Sequence, residues 1–525
     1  MNRSGILLGT RVLAPAHSQA ADAVWWEDGI IRGVGPLAVL RQAVTRRRRP
    51  SPSLYEFRGT LITPGFVDAH THFAAWAVNR TRVDLAGAAT RAEALGRVAR
   101  GAPVDGWVLG QGYEPDGWEA PPTRAALDAV WPDGPVALES HDLHTMWLNS
   151  EALRRCGIDG TTPDPEGGCI VRDGAGDPTG IVRERAVQLV RPHLPGVGGD
   201  RLVEALRAAQ AEAHRLGVTG IQDVEGADVR QALRRIEDRD ELRLRVLMHL
   251  PVEVLDSALA SGLRSGAGSG WIVTGGVKMF LDGALGSRTA WMLEPYEGSP
   301  DRGMLLMGGG EAERAATRAA EAGLSSTVHA IGDAAVRRAL DLLERLPWAA
   351  IPHRIEHLQL VHPSDVPRAA RRGIVASMQP AHLLTDIPLV ERYWGRRGSG
   401  AYAFRSLLDA GTRIAFGSDV PVETLDPRDG VYAALERRRR DGGPPEGWYP
   451  AEKLTFAEAV RAYTVEGWAA AGRENKGGAL AEGMAADLVA WECDVQAVAA
   501  NDGFAFRAGA AALTVVDGEV VWSRS

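Results

Sequence analysis

The chain contains very little lysine and very little cysteine. Of its 59 basic residues, only Lys278, Lys453 and Lys476 are lysine, and all the others are arginine. Its three cysteines lie far apart in sequence, which argues against a disulfide framework and against a thiolate zinc site. No apolar run approaches the roughly 18 residues that a membrane-spanning helix needs.

The charge of the chain also excludes some partners. The formal net charge is −8, so no basic surface for nucleic acid is expected. The arginine runs at 46–49 and 437–440 stand beside turn residues and are typical of solvated loops. The amino-terminal stretch reaches Arg11 before it could form the apolar core of a signal peptide. We therefore expect a cytoplasmic protein with a small-molecule substrate, and neither nucleic acid nor membrane as a partner.

Lys278 lies in a short apolar run, Gly275 to Phe280, which predicts a buried strand. A guanidinium stays charged, whereas a desolvated lysine can lose its proton and act as a nucleophile or carry a ligand group. Retention of lysine here, in a chain that otherwise uses arginine, indicates amine chemistry. The plain alternative is a lysine at a strand end whose amine reaches solvent.

The two ends of the chain predict parts of one small β domain. Residues 23–26 and 30–35 form a strand, turn and strand pattern. Near the carboxyl end, residues 487–491 and 513–522 show the same pattern, with a hairpin turn predicted at Asp517-Gly518.

The middle of the chain alternates short apolar segments with helical ones, which is typical of a parallel α/β barrel of the TIM type, (β/α)8. The eight candidate strands cover residues 65–70, 218–223, 244–249, 277–280, 326–329, 354–357, 374–378 and 413–419. Helices are predicted between several of them, for example at 201–216 and 311–322.

One interval breaks this alternation. Residues 84–200 separate the first two strands, far beyond the usual connection length of α/β units, and contain a strand candidate at 135–139. We interpret the interval as an inserted lid over the carboxyl-terminal mouth of the barrel, where such folds hold their active sites. The predicted division is a β-sandwich built from 1–62 and 478–525, a first barrel strand in 63–83, a lid in 84–200 and the rest of the barrel in 201–477.

Several histidines, one lysine and one aspartate stand on or near the ends of the predicted barrel strands. They are His70, His72, Lys278, His329, His357 and Asp419. His70 and His72 stand two residues apart on extended backbone, so both side chains point the same way. Each residue alone has an ordinary structural explanation, such as a hydrogen-bonded core histidine or a capping aspartate. Together they predict a site for zinc, iron, manganese or cobalt at one mouth of the barrel.

Several segments resemble a known family. Residues 64–72, PGFVDAHTH, resemble the opening metal motif of the amidohydrolase superfamily. The likeness to its family 3 branch, which includes N-substituted formamide deformylases, rests on residues 277–288, 329–333, 354–357, 144–150 and 178–180. With the split β-sandwich, the resemblance covers nearly the whole chain. These motifs specify the superfamily and the branch but not the substrate.

The resemblance implies a role for Lys278. Its amine takes up carbon dioxide, and the N6-carboxylated lysine bridges two divalent metal ions, with zinc foremost. His70 and His72, with Asp419, are then the ligands of the more buried ion. The ligands of the more exposed ion are His329 and His357.

The resemblance also implies the reaction. A metal-bridging hydroxide attacks a carbonyl carbon, and Asp419 takes its proton and returns it to the leaving nitrogen. The expected reaction is hydrolysis of a non-peptide C–N bond in a linear amide or an N-substituted formamide.

Other residues are candidates for supporting roles. Arg288 stands in a glycine-containing loop and could bind an anionic or carbonyl group of the substrate, or form a plain salt bridge. His144 could donate a hydrogen bond to the oxyanion, or serve only the start of a helix. Asp333 and Glu356 are candidates for orienting neighbouring histidines.

Two other interpretations stay open at this point. Lys278 could form a Schiff base in a lyase built on the same barrel. The barrel could also bind metal without catalysing a reaction, since fold alone does not specify function. The sequence leaves open the substrate, the identity and number of the metal ions, and whether the chain forms a homodimer.

Overall fold

The computed structural model describes residues 3–13, 21–46, 52–115, 117–140, 145–165, 167–196 and 198–524. Residues 74–206 form one compact unit, and the remaining described residues form another. None of the helices in these ranges combines the length and the apolar character needed to cross a membrane.

The amino-terminal residues form strands of two small sheets. These elements are β1 (Gly5–Leu8), β2 (Arg11–Val12), β3 (Ala23–Glu27), β4 (Ile30–Gly35), α1 (Leu37–Arg46), β5 (Ser53–Glu56) and β6 (Thr60–Pro64). The predicted strand, turn and strand at 23–35 is confirmed, because β3 and β4 pair in antiparallel fashion. A sheet with the order β4-β3-β1-β5 results.

The first barrel strand leads into the inserted unit. Strand β7 (Phe66–Thr71) is followed by α2 (Phe73–Asn79), β8 (Val83–Asp84), α3 (Arg91–Val98), β9 (Val108–Tyr113), α4 (Arg124–Val130), β10 (Val136–Ser140), β11 (Thr145–Leu148), α5 (Ser150–Arg155), β12 (Gly168–Arg172) and β13 (Pro178–Glu184). The predicted strand at 135–139 is β10. Strands β8 to β13 form their own sheet, in the order β12-β13-β11-β10-β9-β8, with apolar clusters inside the unit. The predicted position of this unit over the barrel mouth stays a prediction.

The remaining barrel strands alternate with helices, as predicted. They are α6 (Gly199–Arg215), β14 (Val218–Asp223), α7 (Ala227–Glu237), β15 (Arg245–Pro251), α8 (Leu255–Ala260), β16 (Ile272–Phe280), α9 (Glu311–Glu321), β17 (Ser326–Ala330), α10 (Asp333–Leu343), β18 (Arg354–His357), α11 (Val366–Arg371), β19 (Val375–Met378), α12 (Leu383–Tyr393), α13 (Phe404–Asp409), β20 (Arg413–Phe416) and α14 (Pro427–Glu436). Short 3₁₀ turns lie at Arg185–Leu189, Arg191–His193, Val252–Val254, Pro380–His382, Gly395–Gly400 and Pro450–Glu452.

The carboxyl-terminal residues complete the sandwich. They form α15 (Phe456–Tyr463), α16 (Val465–Ala470), β21 (Leu488–Glu492), α17 (Val495–Ala499), α18 (Gly503–Arg507), β22 (Ala510–Val516) and β23 (Glu519–Ser523). The second sheet has the order β2-β6-β21-β22-β23, so strands from both ends of the chain pair directly. Trp26 and Ile31 of the first sheet pack with Leu488 and Leu513 of the second in one apolar core.

The eight predicted barrel strands are all present and pair in parallel. Their order is β20-β19-β18-β17-β16-β15-β14-β7. Strands β7, β14, β17, β18 and β19 are buried along their whole length, as expected for parallel strands that are covered on both faces. The pairing register sets Phe280 opposite His329, and Ala330 opposite His357, at the carboxyl ends of the strands.

The loop that follows β20 closes the barrel against β7. The N–H of Asp419 donates to the carbonyl of His70 at 2.8 Å, and the N–H of His72 donates to the carbonyl of Val420 at 2.9 Å. Asp68 accepts hydrogen bonds from the N–H of His70 at 3.1 Å and of Ser418 at 2.9 Å. Burial raises the pKa of Asp68 to about 6, although these hydrogen bonds act in the opposite direction. Barrel closure therefore brings His70, His72 and Asp419 together.

We expect Gly417→Ala to loosen this closure. A Cβ at position 417 would overlap the backbone nitrogen of His70 and lie 2.9 Å from a carboxylate oxygen of Asp68. Overpacking of this kind costs about 1–3 kcal/mol, so the apparent melting temperature should fall. Gly226→Ala is the matched control, because a Cβ there meets nothing within 4 Å. Equal melting temperatures for the two variants would contradict this account of closure.

Candidate metal centre

Asp419 is the residue around which the centre is built. One of its carboxylate oxygens lies 3.3 Å from Nε2 of His70 and 3.5 Å from Nε2 of His72. Strand β20 ends at Phe416, so Asp419 stands three residues beyond it, with a positive φ of 58°. His70, His72 and Asp419 each offer a ligand atom within 4.8 Å of the others. This spacing is compatible with a shared cation, which supports three of the predicted ligand positions.

The histidines of β17 and β18 stand beside this group. The ring of His357 lies 5.1 Å from that of His70 and 4.5 Å from that of His329, centroid to centroid. Nε2 of His329 is 3.1 Å from the carbonyl of Gly283, and this acceptor places the ring proton on Nε2. Nδ1 of His329 and Nδ1 of His357 are buried and have no hydrogen-bond partner within the described ranges. An unpartnered imidazole lone pair in such a place fits a metal ligand.

Burial keeps three of these imidazoles neutral. It lowers the pKa of His72 to about 4, that of His329 to about 3 and that of His357 well below its usual value. His70 differs: burial and Lys278 favour its neutral form, but the charges of Glu356 and Asp419 outweigh them and raise its pKa. Neutral imidazole and carboxylate are the forms in which these side chains bind divalent cations. His72, His329 and His357 are already neutral, and His70 would release its proton to a bound cation, so the donor set fits such ions.

Lys278 lies within the same polar group. Its side chain is on β16, and the residue is 2% exposed. Burial lowers the pKa of its amine to about 8, although the charges of Glu356 and Asp419 act in the opposite direction. Its Nζ lies 4.7 Å from the ring centroid of Phe280, whose ring is 5.1 Å from that of His329. The plain alternative of an amine that reaches solvent is therefore wrong.

A buried ion pair orients His70. Glu356 makes a short contact with Nδ1 of His70 and a second one with the guanidinium of Arg354. Burial alone would raise the pKa of Glu356, but the charges of Arg354 and His70 hold it well below the usual range. Glu356 was a candidate for orienting a neighbouring histidine, and the structure assigns it to His70 rather than to the adjacent His357.

The other supporting candidates have mixed outcomes. Asp333 accepts the N–H of Leu293 at 2.8 Å, and its predicted role in orienting a histidine stays a prediction. Arg288 is exposed, and its guanidinium lies 5.7 Å from the ring centroid of Tyr393. Its predicted role in substrate binding stays a prediction. His144 lies outside the described residues.

His382 is a member of the group that the sequence analysis missed. It lies in the 3₁₀ turn after β19, and its Nε2 is 3.8 Å from a carboxylate oxygen of Asp419. With His357 and Asp419 it forms a second set of ligand atoms within 4.8 Å of one another. The sequence does contain a signal for this residue. His382 follows the seventh predicted strand by four residues, and the other site residues also stand on or near the ends of their strands.

We expect Glu356→Gln to weaken both stability and metal binding. The change removes the carboxylate that holds His70 and leaves the Arg354 guanidinium buried without its counter-charge. Breaking a buried pair costs about 3–5 kcal/mol, and loss of an orienting partner typically lowers metal affinity about 10- to 100-fold. Thermal unfolding and competition with a chelator measure the two effects. The control is Glu93→Gln, which breaks the surface pair with Arg97 at 2.7 Å and should change neither.

Comparison with known proteins agrees with this geometry. Residues 57–522 match the amidohydrolase family. The chain is 31% identical over 526 residues to YtcJ of Bacillus subtilis (strain 168), a protein named as an amidohydrolase, with 96% of each chain covered. It is 28% identical over 503 residues to the N-substituted formamide deformylase of Arthrobacter pascens, with 91% of each chain covered.

A solved structure shows the same likeness. An uncharacterized metal-dependent hydrolase from Pyrococcus furiosus superposes with a TM-score of 0.77 at 27% identity, over 93% of this chain and 98% of that one. The resemblance inferred from the sequence motifs is confirmed: the chain belongs to the amidohydrolase family, a family of metal-dependent hydrolases.

Proposed function

We propose that this protein hydrolyses a non-peptide C–N bond, in a linear amide or an N-substituted formamide, with two divalent cations at the centre around Asp419. One observation carries the proposal. A fully buried lysine amine with a lowered pKa stands among imidazoles that have unpartnered nitrogens. The likeness to the N-substituted formamide deformylase of Arthrobacter pascens supports the choice of bond.

Lys278 supplies the bridging ligand in this proposal. A pKa of about 8 leaves part of the amine neutral at pH 7, so its lone pair can attack the carbon of CO2. The N–C bond forms as one C=O π bond of CO2 breaks, and the nitrogen passes its proton to water, which gives a carbamate with two oxygen donors. Arginine cannot react in this way, and this difference explains why an arginine-rich chain keeps lysine here. Oxygen and imidazole donors together suit zinc foremost, with iron, manganese or cobalt as alternatives.

Bound cations would supply Lewis acidity that polarises a substrate carbonyl and acidifies a water molecule. Asp419 then moves the proton. Burial alone would raise the pKa of Asp419, but the charge of His70 and a hydrogen bond from it hold the pKa well below the usual range. The carboxylate is therefore ionised and ready to accept the proton of the attacking water. It returns that proton to the leaving nitrogen, which departs as a neutral amine.

The substrate in this proposal carries an apolar group. Phe280 is 42% exposed, although its ring lies against both Lys278 and His329. Val422 is 66% exposed, only three residues after Asp419. Exposed apolar side chains beside a polar centre are typical of a binding surface for an apolar substituent.

Lys278→Arg should abolish hydrolysis, because a guanidinium forms no carbamate. Lys278→Ala should also be inactive and should regain part of its activity with a short carboxylic acid, which replaces the carbamate oxygens. Metal analysis of the purified wild type should give two ions per chain. Lys476→Arg is the control, because Lys476 is exposed and lies outside the centre.

Two results would contradict this proposal. Full activity in metal-free protein would exclude a metal-dependent reaction. Trapping of a carbonyl substrate on Lys278 by borohydride would favour the Schiff-base lyase instead.

Phe280→Ala should raise KM for amides with a large apolar substituent, with little change in kcat. Loss of a buried aromatic contact of about 1–3 kcal/mol corresponds to roughly 5- to 150-fold in KM. Amides with a methyl substituent should be affected much less. Val39→Ala is the control, since Val39 is 57% exposed on helix α1 of the sandwich. Equal effects on large and small substrates would count against a substrate contact at Phe280.

A further inference from the structure

His382 is surplus to the ligands that the proposed function needs. His70, His72, Lys278, His329, His357 and Asp419 already provide a bridging group and ligands for two cations. His382 nevertheless lies beside them, with its ring centroid 6.3 Å from that of His357. Its side chain is 13% exposed, so it is nearly enclosed but keeps a small solvent-exposed surface.

Nε2 of His382 is free to contact a ligand. The atom is buried and has no hydrogen-bond partner in the part of the chain that the structure describes. Its distance of 3.8 Å from the Asp419 carboxylate exceeds the limit of about 3.2 Å for a hydrogen bond. A buried imidazole nitrogen without a partner costs free energy unless a ligand or water satisfies it.

The backbone around His382 is held rigidly. Pro380 and Ala381, in the same turn, are buried, and the N–H of His382 donates to the carbonyl of Gln379 at 3.2 Å. Leu384, two residues later, packs against Tyr432 and Ala433 of helix α14. A side chain on such a backbone is already in position before the substrate binds. Hydrogen-bond donors that stabilise a transition state require this preorganisation.

We propose that His382 is a catalytic residue that contacts the substrate. Its Nε2–H donates a hydrogen bond to the carbonyl oxygen, and this bond strengthens as the oxygen gains negative charge during attack. Asp419, whose carboxylate lies 3.8 Å from this nitrogen, handles the proton. This inference rests on the proposed hydrolysis of a C–N bond.

The test compares His382→Leu with His382→Gln in the full-length, metal-loaded protein. Leucine removes the donor, and kcat should fall about 100- to 1,000-fold, as for loss of one oxyanion donor. Glutamine keeps an N–H donor, so kcat of His382→Gln should be at least about tenfold higher than kcat of His382→Leu. Both variants should retain the wild-type metal content and melting temperature. The control is His362→Gln, in an exposed loop where Nδ1 of His362 lies 2.8 Å from the hydroxyl of Ser364.

Hydrolysis is measured on a panel of N-alkyl and N-aryl formamides and acetamides. Loss of a metal ion in either variant would overturn the inference, because His382 would then be a ligand. Activity of His382→Leu within threefold of wild type, or no recovery in His382→Gln, would also overturn it. A wild-type protein that cleaves no member of the panel would overturn the proposed function itself, together with this inference.

Discussion

One buried guanidinium connects four strands of the barrel, including the strands that carry His70 and His357. Arg354 is 1% exposed and makes short contacts with Glu356, with the side chain of Gln222 and with the carbonyl of Ala69. It also donates to the hydroxyl of Ser377 at 2.6 Å. These partners lie on β18, β14, β7 and β19. Only arginine offers enough donors in one plane to satisfy partners on four strands at once.

The contacts of Arg354 influence which side chains of the centre are charged. The charge of Arg354 keeps Glu356 ionised, and Glu356 in turn holds Nδ1 of His70, so that Nε2 points to Asp419. The same enclosure removes water from around Lys278 and lowers the pKa of its amine. Burial therefore does not act in the same way on every group of the centre. Charged partners keep Glu356 and Asp419 ionised against its effect, whereas burial itself lowers the pKa of the Lys278 amine.

Asp419, the carboxylate of the centre, lies on a strained part of the backbone. Asp419 has a positive φ, and so does His357. Conformations of this kind cost about 1–3 kcal/mol each and persist where the surroundings dictate them. Around Asp419 the surroundings are the hydrogen bonds of the closing loop to His70 and Asp68. The hydrogen bonds that close the barrel are therefore the same ones that hold Asp419, the proposed proton carrier, in place.

Much of the fold followed from local patterns. The eight barrel strands and the terminal hairpin at Asp517-Gly518 are short, apolar and bounded by turn signals, so their positions depend mainly on nearby residues. The role of Glu356 did not follow in this way. Successive residues of a strand point to opposite sides, so Glu356 cannot face the adjacent His357, and its actual partner is 286 positions away in the chain.

By itself, the sequence determined the barrel, the split sandwich and the six residues proposed for the centre. It could do so because parallel strands end at one edge, and residues at those ends meet whatever their separation along the chain. Only the tertiary structure decided which carboxylate holds which imidazole, how far Lys278 is removed from water, and that His382 stands beside Asp419. These properties depend on distances between residues on different strands, and such distances exist only once the barrel has closed.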